Sequence, residues 1–123
     1  MKINEDFVPA TVDEAIKAIV ESLNFDDIDF IKQNTPGSVH HFGGMGMRNS
    51  WSFWEKDTPI HFDFRKRFNL WGMADDISGI IFEGVWATVL GQNVEEVLQA
   101  KAEEYRIHWR EKCQINPETG EKL

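Results

Sequence analysis

Almost wherever a hydrophobic pattern is legible in this chain it repeats every three or four residues, and most repeats follow a residue able to cap a helix. That combination points to an all-α fold. Thr11 and Glu14 stand in the capping-box relation after Pro9, and Val12, Ile16, Ile19, Val20 and Leu23 then fall on one stripe. Asn24, ahead of Asp26 and Asp27, opens a second, shorter helix predicted to bury Phe25, Ile28 and Ile31. Thr35-Pro36 gives a third start, because proline at the first helical position loses only an N–H that would be orphaned there.

Residues 38–54 carry Gly43, Gly44 and Gly46, each costing a helix roughly 1 kcal/mol relative to alanine. A helix is still predicted, with Phe42, Gly46, Asn49 and Phe53 on one face and another element packed against the glycines. Thr58-Pro59 starts a helix carrying Ile60, Phe64 and Phe68. Asp75, Asp76 and Ser78 begin the next, which Gly91 ends, and Asn93 with Glu96 caps the last. No convincing alternation for a strand appears. The expectation is one all-α domain over residues 1–115, an irregular bundle of five or six helices, followed by a frayed tail at 116–123.

The lone Cys113 allows neither an internal disulfide nor a multi-cysteine zinc site. No window approaches the ~18 apolar residues of a membrane span, and the opening MKINEDFVPA holds no stretch of signal-peptide length. A cytoplasmic protein with no membrane partner is expected.

The net charge of −8 hides a segregation: residues 1–30 sum to −6, residues 31–71 to +3 and residues 72–123 to −5. Eight of the fifteen aromatic residues lie in the basic middle, between Phe42 and Trp71. Guanidinium groups meet phosphate and rings stack on bases, so this interleaving fits a small planar anion. It equally fits a small domain placing its largest core anchors there. The acidic ends disfavour general nucleic-acid binding. They suit docking on a basic protein, with Glu95, Glu96, Glu103 and Glu104 as rim contacts.

Residues 47–54, MRNSWSFW, are the densest stretch. Arg48 is expected to bridge to Asp75 or Asp76 with Asn49 bonding backbone; otherwise Arg48 and Asn49 line a pocket beside Trp51 and Trp54. In that pocket Trp51, Trp54 and Trp71 would stack, and Arg65 or Arg67 would meet negative charge. A catalytic alternative pairs His41 with Asp75 or Asp76. Nothing supplies a nucleophile turn, and the histidines and Cys113 lack metal-site spacing, so no metal and no cofactor are expected.

His41-Phe42-Gly43, then Arg48-Asn49-Ser50-Trp51-Ser52-Phe53-Trp54, then Asp75-Asp76-Ile77-Ser78 resemble an uncharacterised domain family of small bacterial and phage proteins. The resemblance runs from about Pro9 to Gln92 and leaves the last thirty or so residues outside it. It implies an α-helical domain in which the Arg-Asn and Asp-Asp stretches meet, and it implies no activity. Together these features lead to a non-enzymatic binding protein, a monomer or homodimer, for a small anionic or nucleotide-like ligand. The alternatives are an acidic module that binds a host protein, and a small hydrolase or transferase.

Overall fold

The computed structural model describes residue 3, residues 6–40 and residues 42–123, apart from the side chains of residues 39, 40, 42, 43 and 45. Its helices are α1 (Val12–Ser22), α2 (Phe25–Gln33), the single turn α3 (Gly37–His40), α4 (Phe42–Ser50), α5 (Pro59–Phe68), α6 (Ala74–Val89) and α7 (Val94–Ile107). The last continues into a π-helical turn at His108–Lys112. Among the described residues the only β pairing is one antiparallel bridge, Ile115 with Lys122. The predicted all-α bundle is the observed architecture.

α6 is the hub. Its sequence is apolar on nearly every side, and such a helix must be covered all round. α1 brings Val12, Ala15, Ile16 and Ile19 against it, α7 brings Leu98 and Ala102, and α4 packs on a further side. Gly84 permits the closest approach, since a Cβ there would stand 2.2 Å from Ile16 Cδ1. α5 packs on α1, where Asp63 accepts a 2.9 Å hydrogen bond from the backbone N–H of Val12 and places its charge at a helix N-terminus.

The caps at Thr11, Asn24 and Asn93 each accept from the backbone N–H three residues on. Thr58 instead turns its hydroxyl to His61 Nδ1, 2.5 Å away. His61 is fully buried, and its Nε2 lies 3.0 Å from Phe53 O. A carbonyl can only accept, so Nε2 carries the proton and Nδ1 accepts from Thr58. Burial favours this neutral ring and holds its pKa below the usual histidine value.

Three expectations are corrected. Phe25 is 88% exposed, because α2 turns Ile31 inward and leaves its first turn in solvent. α4 stops at Ser50 rather than reaching Trp54; the left-handed backbone at Ser52 (φ 60°) breaks the helix. Residues 116–123, expected to fray, fold back as a hairpin: Asn116 N–H donates to Glu121 O at 2.7 Å, and Trp71 N–H donates to Pro117 O at 2.9 Å. Gly120 lies on the Trp71 ring, where any Cβ would overlap it.

Candidate functional site

Arg48 projects from α4 into the protein and is only 4% exposed. Its Nη1 donates to Ser78 Oγ at 2.9 Å, and Nε lies 3.3 Å from Asp75 Oδ1, off the line of a hydrogen bond. Gly44, one turn earlier, makes room: a Cβ there would sit 2.6 Å from Arg48 Nη1. The Arg-Asn and Asp-Asp stretches therefore meet through Asp75 and Ser78. Asp76 faces elsewhere.

Beyond Ser50 the chain turns back, and Phe53 N–H donates to Arg48 O at 2.9 Å. The turn sends Trp51 and Phe53 into the core and leaves Trp54 55% exposed. Trp51 is thus an anchor of the core, set apart from the exposed Trp54. Asn49, expected to bond backbone, instead accepts from Trp54 Nε1 at 2.7 Å. Arg48 Cζ lies 5.7 Å from the Trp54 ring centroid, so the guanidinium backs the indole. An exposed tryptophan is held by two polar side chains of the preceding helix.

Trp54, Lys56, Asp57, Arg65, Trp71 and Gly120 border a cleft of about 710 Å³. Arg65 spans its floor: Nε donates to Trp71 O at 3.2 Å, Nη2 donates to Lys56 O at 2.5 Å, and Nη1 stands a looser 3.8 Å from Asp57 Oδ1. The Trp71 indole meets Trp109 edge to face at 5.2 Å, and its buried Nε1 has no hydrogen-bond partner. Arg67 does not join this group. It pairs with Asp13 at 2.8 Å and with Glu95 at 2.5 Å, on the side where α1 and α7 meet α5.

A second cavity, about 380 Å³, opens between the start of α6 and the end of α7. Asp76, 5% exposed, reaches it, and its Oδ2 accepts from Trp109 Nε1 at 2.7 Å. Burial pushes its pKa up to about 6, with the neighbouring Asp75 charge adding to the rise and the Trp109 bond opposing it. Tyr105, Lys101, Glu104 and His108 complete the walls. Burial also raises the Tyr105 pKa, which keeps the phenol neutral. At the outer edge Cys113 Sγ lies 3.5 Å from His108 Nε2, the five-residue separation that a π-helical turn brings together.

Tyr105, His108 and Trp109 were not predicted to meet Asp76. A signal exists, since Leu98, Ala102, Tyr105 and Trp109 fall on one helical stripe. His41 lies outside the described residues, so its pairing with Asp75 or Asp76 has no geometry. Among the described residues, no three His, Cys, Asp or Glu side chains converge to hold a metal ion. Among the same residues, no helix is long and apolar enough to cross a membrane.

No curated protein and no solved structure matches the chain. A family model does: the domain of unknown function DUF6794 matches residues 8–89, from just before α1 to the end of α6, and so contains Arg48, Asn49, Trp54, Asp75 and Asp76. With two-thirds of its length inside that match, the chain belongs to the DUF6794 family.

Proposed function

We propose that this chain is a non-enzymatic, cytoplasmic binding protein whose ligand seats in the cleft beside Trp54. The observation carrying the proposal is the way Trp54 is held. A ring more than half exposed is normally free to reorient, whereas here Asn49 fixes its N–H and Arg48 backs its ring. A side chain ordered before binding loses little entropy on binding, which is what a stacking platform requires.

The ligand class is a small planar anion of nucleotide-like shape. Its ring would lie on Trp54, and its anionic group would meet Arg65 Nη1, the loosely paired edge of that guanidinium, together with exposed Lys56. Arg48 and Arg67 are each committed to internal carboxylates and serve no ligand in this arrangement. The cleft volume falls in the range that holds such molecules. The resemblance to bacterial and phage proteins supports an accessory role, such as sequestering a small signalling molecule.

Calorimetric titration with mono-, di- and cyclic nucleotides tests the proposal. Saturable heat that disappears in Trp54→Ala supports it; absence of heat across the panel overturns it.

A protein partner is the second reading, favoured by Phe25. This ring is 88% exposed at the start of α2 and is flanked by Asp26, Asp27 and Asp29, a pairing of apolar anchor with acidic rim. The acidic face of α7 is less available, because Glu95, Glu103 and Glu104 are paired with Arg67, Arg106 and Lys101. Salt-sensitive capture of a basic protein, lost in Phe25→Ser, is the expected result for this reading. Retention of the partner by Phe25→Ser would remove α2 from it.

A further inference from the structure

We propose that the cavity between the start of α6 and the end of α7 binds a small organic cation, an alkylammonium whose charge meets Asp76 and whose hydrocarbon part lies against Trp109, Tyr105 and Met73. This site is separate from the Trp54 cleft, and its assignment does not rest on the function proposed for that cleft.

Three observations carry the assignment. First, Asp76 is 95% buried yet lines the cavity, and only one of its oxygens is used: Oδ2 takes the Trp109 bond, and no donor among the described residues reaches Oδ1. A buried carboxylate that lacks a cationic partner is a costly group, and a ligand that brings the missing charge relieves that cost.

Second, the walls suit an organic ion better than a metal. Trp109 and Tyr105 offer aromatic surface and Met73 a thioether, while the carboxylates do not converge in the way a metal ion needs.

Third, the chain already seats an ammonium on the adjoining wall. Lys101 Nζ lies 5.2 Å from the Tyr105 ring centroid, 3.1 Å from Glu104 and 3.8 Å from Glu83. Carboxylate and aromatic face thus hold one amine here with the geometry proposed for a second. Asp75 is drawn off by Arg48, which leaves Asp76 as the carboxylate open to the ligand.

The charged and titratable groups facing Asp76 are Asp75 from α6, Lys101, Glu104 and Tyr105 from α7, and His108 from the π-helical turn. Of these Lys101 is the internal competitor. Its removal should strengthen binding of an external amine several-fold.

The test is calorimetric titration of the full chain with n-butylammonium and with 1,4-diaminobutane, against sodium and magnesium chloride at matched ionic strength. Saturable 1:1 binding of an amine is expected, weakened at least tenfold in Asp76→Asn and strengthened in Lys101→Met. The proposal is overturned if neither amine saturates, if the inorganic salts give the same response, or if Asp76→Asn binds as tightly as the wild type. Should that variant fail to fold, the Trp109 indole N–H resonance of the wild type decides. It reports directly on the Asp76 carboxylate and should shift with amine concentration along a saturable curve; an unmoved resonance rejects the site.

Discussion

Asn49 and Trp54, five residues apart across the end of α4, are joined by a 2.7 Å hydrogen bond from the indole N–H to the amide oxygen. The bond decides which face of the ring is offered to solvent. Its removal in Asn49→Ala should cost less than about 1 kcal/mol of stability, because both groups are exposed. The expected effect is on order: hydrogen exchange at the Trp54 indole should quicken about tenfold, and any cleft ligand should weaken by a similar factor. Unchanged exchange would show that Arg48 alone holds the ring.

Arg48→Met should lower the unfolding free energy by about 3 kcal/mol, at the lower end for a broken buried pair because Asp75 is half exposed and can rehydrate. Arg48→Lys should recover little, since one ammonium cannot reach Ser78 Oγ and Asp75 from the places that Nη1 and Nε occupy. Urea unfolding of both variants checks this.

Asp76 gives a pH signature of known sign. Its carboxyl titrates near 6 in the native state against an ordinary 3.8, so the native state holds the extra proton between those values. The stability it contributes is full below 3.8 and lost as pH rises through about 6. Asp76→Asn should therefore be more stable than the wild type at pH 8, by about 2 kcal/mol, with no such gain at pH 4. Equal stability at pH 8 would mean that another group neutralises Asp76.

His61 acts in the opposite direction. Its native pKa lies below the ordinary histidine value of 6.5, so its stabilising contribution is present above 6.5 and is lost as pH falls toward the native pKa. Chemical unfolding between pH 7.5 and 5 should show this loss in the wild type and a flatter profile in His61→Gln.

Gly120→Ala should detach the hairpin from Trp71. The site has φ +75°, and the added Cβ would stand 2.2 Å from Trp71 Cε3. The expected result is a red-shifted tryptophan emission and a loss of roughly 1–2 kcal/mol.

Much of this architecture was legible in the sequence because capping is local. Thr11, Asn24 and Asn93 mark true helix starts, since a side-chain oxygen three residues before a backbone N–H needs no distant partner. What was not legible depends on direction. Phe25 fits the periodic pattern of α2 and still faces solvent, because the rotation of a short helix is set by what it packs against. Trp51 and Trp54 differ in fate through the single left-handed residue Ser52, a position no apolar pattern marks. Asp75 and Asp76 are neighbours, but adjacent residues of a helix point about 100° apart, so Arg48 can take only one of them and Trp109 takes the other. The hairpin was hidden for a similar reason. Pro117 and Gly120 read as breakers, while the indole that gathers them lies almost fifty residues earlier.

Trp109 links the two cavities: its N–H holds Asp76 in one, and its ring meets Trp71, which lines the other, edge to face. Because the two contacts share one rigid indole, a molecule that draws Trp109 away from Asp76 also loosens the wall behind Trp71. Thermodynamic linkage makes such crosstalk mutual, so occupancy of either cavity would alter affinity at the other by the same factor. Trp109 lies outside the stretch matched by the family model, so this link between the two cavities is made by a residue of the later π-helical turn.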